Sequence, residues 1–152
     1  MNLPKHRKSN PGTYYFVTKC CYKHLKLLIP DSRDFPDVLQ IFHIFKFSLL
    51  FLEQKNIWKL IAFVMMPDHI HLIIQLGENK PLRAAIESLT KFVDKEYQLR
   101  CKNRVKLWQK NYYKQVIEDS RALEKYIRYV VENPIRKGFV ENICSWPFSI
   151  IR

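Results

Sequence analysis

Glycine is scarce, at 3 of 152 residues, and neither internal repeats nor low-complexity segments occur. That composition excludes collagen-like and linker-like chains. Acidic residues are also few: 14 Asp and Glu stand against 26 Lys and Arg, a formal net charge of +12. Such an imbalance is the electrostatic footprint of a polyanion binder. The four cysteines, Cys20, Cys21, Cys101 and Cys144, have neither metal-knuckle spacing nor the layout of a secreted disulfide framework. They are expected to be reduced thiols in a cytoplasmic protein. An apolar signal core is missing from the basic N-terminus, which argues against export. The most apolar stretch, Phe35 to Leu52, is interrupted by Gln40, His43 and Lys46, so it reads as a buried amphipathic helix and not a membrane span.

What is present suffices for a core. Hydrophobic residues are 47% of the chain, enough at this length for one domain to fold without disulfides or a structural metal. A single domain over 1–152 is expected, with a basic arm at 1–12 and a short C-terminal tail at 135–152.

Thr13 to Cys20 is dense in β-branched and aromatic residues and predicts a first strand. Asp31 to Asn56 carries Val38, Ile41, Phe42, Phe45, Leu49 and Leu52 at helical spacing and predicts a long helix. Trp58 to Met65 and His69 to Leu76 predict a hairpin around Met66-Pro67-Asp68, with the proline outside the ladder. A second helix is expected from Pro81 to about Leu99, with Leu82, Ile86, Leu89, Phe92 and Val93 as its stripe. A fourth strand is expected over Trp108–Ile117, preceded or interrupted by Lys110 and Asn111. Asp119 or Ser120 then caps a third helix that Pro134 must end or redirect. The order βαββαβ plus a helix predicts an α+β, ferredoxin-like antiparallel sheet with the third strand central.

Alternate residues of a strand share a face, so His69 and His71 leave the same side of the third strand about 6 to 7 Å apart at Cα. Two imidazoles so placed can hold one metal ion. On the third helix, Leu123, Tyr126, Ile127 and Val130 form the packed stripe. Tyr129 lies off that stripe, and Asn133, four residues on, shares its face. Docked over the histidines, that face would add a phenol and an amide oxygen to a divalent-metal site able to accept a phosphate oxygen. Asn133 has a second reading, as the N-cap of a separate short helix with Pro134 at its first position and Gly138 at its end. Tyr126 is the competing nucleophile, disfavoured because its stripe position buries it. Lys102, Arg104, Lys106, Lys110, Tyr112 and Lys114 are candidates for a DNA-tracking strip, the alternative being scattered solvent-exposed lysines. Tyr112 and Tyr113 face oppositely, so one of them offers an outward ring. His6, His24 and His43 have no spacing partner and are expected to serve surface or packing roles.

Met66-Pro67-Asp68-His69-Ile70-His71-Leu72 resembles the His-hydrophobic-His (HUH) motif of single-tyrosine transposases. Tyr129-Val130-Val131-Glu132-Asn133-Pro134, followed by Gly138, resembles their tyrosine helix. Pro11 to Thr18, Trp108-Gln109 and Ser145-Trp146-Pro147-Phe148-Ser149 resemble further segments of the REP-associated tyrosine transposases, in which a longer tail follows. The resemblance covers nearly the whole chain in the right order. It implies metal-dependent cleavage and rejoining of single-stranded DNA near hairpins. His69, His71 and Asn133 would be metal ligands and Tyr129 the nucleophile, forming a 5′-phosphotyrosine and a free 3′-OH. The ion would be Mg²⁺ or Mn²⁺, and imidazole ligation favours Mn²⁺. No nucleotide cofactor is implied. A monomer is the expected state, although some single-tyrosine relatives are dimers sharing active sites. Two alternatives stand beside this reading: a non-catalytic binder of structured single-stranded DNA or RNA on the same fold, and a metal-dependent nuclease activating water.

Overall fold

The structure, a computed structural model, describes residues 10–31 and 33–152. Most of the expected basic arm, and His6, therefore lie outside the described residues. Strand β1 (Tyr14–Cys20) leads to helix α1 (Val38–Gln54), the hairpin β2 (Trp58–Met65) and β3 (His69–Leu76), helix α2 (Leu82–Gln98), strand β4 (Tyr113–Ile117), helix α3 (Ser120–Arg136) and strand β5 (Ser149–Ile151). The sheet runs β4-β1-β3-β2-β5 with every neighbouring pair antiparallel. β3 is thus the central strand, hydrogen-bonded on both sides, and its side chains are positioned by a ladder that cannot fray.

The two faces of β3 divide the molecule. Ile70, Leu72, Ile74 and Leu76 lie in the main core with Ile41, Phe45 and Leu49 of α1 and Ile86, Leu89 and Val93 of α2. The opposite face contributes Ile73 to a second core with Phe16, Ala62, Val64, Met66, Ile117 and Val130. A bulge between Leu60 and Ala62 shifts the register by one residue. Beyond it, the small side chains of Ala62 and Val64 turn to the α3 side, which lets the helix approach closely.

Four local details depart from the sequence expectation. First, α1 begins at Val38, not Asp31. Pro36 lies just before the start and Asp37 caps it, accepting the Leu39 N–H at 2.9 Å and the Gln40 N–H at 3.4 Å. Second, the fourth strand, expected from Trp108 with a break near Lys110 and Asn111, is regular only over Tyr113–Ile117. Trp108 makes only an isolated bridge to Cys21, and regular pairing starts at Tyr113. The intervening carbonyls of Gln109, Lys110 and Asn111 accept from the buried Lys19 ammonium, whose pKa burial lowers. Third, α3 passes through Pro134 without ending. It stops about one turn later than an Asn133 cap would require, at Lys137, with Gly138 in the left-handed region at φ +76°. Fourth, the tail adds β5, which pairs Val64 with Ser149 and Ala62 with Ile151 on the outer edge of β2.

Candidate active site

His69 and His71 stand side by side on the α3 face of β3, with their Nε2 atoms 3.1 Å apart. Each ring is held from behind through Nδ1. Asp68 Oδ1 lies 2.6 Å from His69 Nδ1, and Thr18 Oγ1 on β1 lies 2.8 Å from His71 Nδ1. A carboxylate accepts only, so a neutral His69 donates its Nδ1–H to Asp68 and leaves the Nε2 lone pair free. His71 is buried, and its pKa falls to about 3. Burial is the main cause, followed by electrostatic interaction with His69 and the nearby charges of Arg136 and Lys137. His71 is therefore an unprotonated imidazole at any physiological pH, the form a metal requires.

Helix α3 crosses this face. Phe16 is the ring on which the site is assembled. It stacks on His71 at 5.3 Å between centroids and on Tyr126 at 4.9 Å, and meets Tyr129 edge-on at 5.8 Å. The Tyr129 ring lies 5.5 Å from that of His71, yet the residue is 43% exposed. Tyr126 is packed into the second core, as its stripe position demands. The phenol that both packs against His71 and is exposed is Tyr129.

Asn133 is only 2% exposed, and its Oδ1 is a buried side-chain oxygen with no hydrogen-bond partner. This overturns the N-cap reading: a capping amide accepts from backbone N–H groups, whereas Asn133 Oδ1 accepts from none and α3 runs unbroken through it to Arg136. An orphaned buried acceptor carries an unmet desolvation penalty of about 1–3 kcal/mol. It lies one turn beyond Tyr129 on the same side of the helix.

The donors present fit a divalent cation. A 3.1 Å separation of two nitrogens suits neighbouring ligands of one ion at metal–nitrogen bonds of about 2.1 Å. Among the described residues no group of three or more His, Cys, Asp or Glu side chains is placed to hold a metal ion. A third protein donor here must therefore be of another type, and the unpartnered Asn133 oxygen is one.

A sequence model of the family described as "Transposase IS200 like" matches residues 41–133, more than half of the chain. The chain belongs to the IS200-like transposase family. A Haemophilus influenzae protein named for the REP-associated tyrosine transposases is 34% identical over 99 residues, 59% of this chain and 56% of that protein. The chain thus spans little more than half the length of that relative. The Escherichia coli REP-associated tyrosine transposase is 21% identical over 140 residues, covering 91% of this chain and 75% of the relative. Among solved structures, a REP-associated tyrosine transposase bound to a REP hairpin superposes with a TM-score of 0.73 at 19% identity, over 98% of this chain and 82% of that one. A transposase-family protein of Deinococcus radiodurans gives 0.53 at 17% identity, over 86% and 97%. These structures share the fold of this IS200-like chain.

The proposed DNA strip is not gathered on the histidine face. Lys102 pairs with Asp34 at 2.8 Å, and Lys106 sits over the Tyr22 ring at 4.5 Å. Arg104 and Lys106 line a groove with Asp94 and Trp108. Lys110 is exposed. Lys114 is also exposed and pairs in register with Val17, on the main-core side of the sheet. Tyr112 packs against that core, so the outward ring is Tyr113, exposed and edge-on to Phe16 at 6.2 Å. The residues that sequence reasoning missed are Thr18, Asp68 and Phe16, which orient the histidines and the tyrosine, and Arg136, whose charge reaches His71.

Proposed function

We propose that this family member cleaves and rejoins single-stranded DNA beside hairpins through a covalent bond to Tyr129, with a divalent metal held by His69, His71 and Asn133. The observation that carries the reading is the buried, unpartnered Asn133 oxygen on the helix that brings Tyr129 against the paired Nε2 atoms. A bound divalent ion supplies Lewis-acid polarisation of a phosphoryl oxygen. The chain's own residues do the rest. Asp68 and Thr18 fix the ring orientations, and burial keeps His71 unprotonated. Arg136 and Lys137 add positive charge beside the place where phosphate must sit.

Tyr129 Oη attacks phosphorus, forming the tyrosyl O–P bond on the 5′ side as the P–O3′ bond breaks. The proton lost by the phenol is balanced by one gained at the leaving 3′-oxygen. The phosphodiester energy is retained in the adduct, so attack by another 3′-OH rejoins the strand without a nucleotide cofactor. Mn²⁺ suits the imidazole donors better than Mg²⁺ does. A monomer contains every residue of this site.

The test uses labelled single-stranded hairpin oligonucleotides with flanking sequence, incubated with Mn²⁺ or EDTA. Cleavage is expected with Mn²⁺ and absent with EDTA, and His69→Ala with His71→Ala should lose activity and Mn²⁺ binding together. Hairpin binding that ignores EDTA, with no cleavage of any hairpin in the set, would identify a non-catalytic binder. Cleavage without a protein–DNA adduct would identify a water-activating nuclease.

A further inference from the structure

Arg136 makes three contacts on α3, and two of them are to Tyr129. Its guanidinium carbon lies 4.2 Å from the centre of the Tyr129 ring, and Nη2 donates to the Tyr129 backbone carbonyl. Nη1 reaches Glu132 at 3.4 Å, a loose and exposed pair that leaves the guanidinium only partly neutralised. The two residues are seven apart, two helical turns, and helical side chains lean toward the N-terminus. Arg136 therefore folds back along the helix to cover the tyrosine.

Pro134 lies inside the helix and offers no N–H to the Val130 carbonyl four residues back; the Arg136 side chain bonds the adjacent Tyr129 carbonyl. The Tyr129 ring is then bounded by three groups: His71 at 5.5 Å, the edge-on Phe16 at 5.8 Å, and the guanidinium plane. Without the third, a residue 43% exposed could rotate away into solvent.

We propose that Arg136 is a positioning residue that pins the Tyr129 ring against His71 through a stacked guanidinium and a bond to the Tyr129 carbonyl. The proposal rests on the reading of Tyr129 as the nucleophile. A planar fork makes both contacts at once; an ammonium has the charge but neither the stacking plane nor the paired donors. Lysine is thus the discriminating replacement.

The experiment compares wild type, Arg136→Lys and Arg136→Met in single-turnover adduct formation at saturating hairpin DNA with Mn²⁺. It is paired with ¹⁹F NMR of each protein carrying fluorotyrosine at position 129. Both variants should form adduct about ten-fold or more slowly, because misplacing a reacting group by about 1 Å is enough for such a loss. Hairpin affinity should stay within a few-fold in Arg136→Lys, which keeps the charge. The fluorine resonance should move toward that of free fluorotyrosine in both variants, with thermal unfolding confirming that they remain folded. Full adduct rate in Arg136→Lys would show that charge alone is needed and would overturn the pin. An unchanged fluorine resonance in both folded variants would overturn it independently, without DNA or metal. A wild type that forms no adduct would instead sink the nucleophile assignment, a different result from variants that match an active wild type.

Discussion

Asn133 sets the sharpest expectation at the scale of single residues. Its buried oxygen lacks a partner, so Asn133→Leu, which keeps the branched four-atom side-chain shape and removes the orphan, should raise metal-free stability by about 1 kcal/mol. The same change should weaken Mn²⁺ binding. Urea unfolding in EDTA and a Mn²⁺ titration measure the two effects, and a destabilised metal-free variant would contradict the unmet-acceptor account. His71 sets a second. Its pKa falls from 6.5 in the unfolded chain to about 3 in the fold, so between those values the unfolded state holds the extra proton. Stability is complete above pH 6.5 and should decline as pH drops toward 3, at no more than about 1.4 kcal/mol per pH unit. In His71→Gln the unfolding midpoint in EDTA should fall less steeply over that window; equal slopes would remove His71 as the cause. Spacing along the chain singled out His69, His71, Tyr129 and Asn133 as candidates, and the fold sets the two histidines side by side with Tyr129 against His71. Thr18 and Asp68 were not visible in that role, because which residue of β1 faces His71 depends on a strand register that local sequence does not specify.

At the scale of elements, long periodic segments were readable and their ends were not. The stripes of α1 and α2 and the two-residue alternation of β3 placed the correct faces in the core. The start of α1 was misread because hydrophobic period says little about where Asp37 begins to accept N–H groups. The choice of Tyr112 over Tyr113 failed on parity: the interruption around Lys110 and Asn111 hid which residue faces out. β5 escaped because three residues are too few to show a period. α3 is the element on which the site depends, and its single side-chain cap is Asp119. Asp119→Ala should lower global stability by about 1 kcal/mol and accelerate amide exchange in the first turn of α3 without altering Mn²⁺ affinity. A loss of Mn²⁺ affinity would mean that the helix start, and not only its Asn133 end, shapes the donor set.

For the whole molecule, the controlling quantity is the net charge of +12. Its sign matches a polyanionic partner, but among the described residues the candidates Lys102, paired with Asp34, and Lys114, on the main-core side of the sheet, do not gather on the histidine face. Hairpin affinity should therefore depend on salt as expected for a modest number of phosphate contacts. Raising monovalent salt from about 50 to 200 mM should weaken binding on the order of ten- to a hundred-fold. Fluorescence anisotropy at several salt concentrations gives the slope, and a flat response would remove the electrostatic basis for DNA recognition. The sheet order carries the other whole-molecule feature. Because β3 lies between β1 and β2, the histidines sit on the central strand of the sheet, while the tyrosine arrives on a helix packed from one side.

The union of those two elements into one catalytic centre is tested most directly by peptide mass spectrometry of the protein–DNA species formed with a hairpin oligonucleotide and Mn²⁺. The account predicts a nucleotide-bearing peptide modified at Tyr129, absent with EDTA and absent in Tyr129→Phe while that variant still binds the hairpin. An adduct mapping to Tyr126 or to any other residue, or one formed equally well in EDTA, would contradict it.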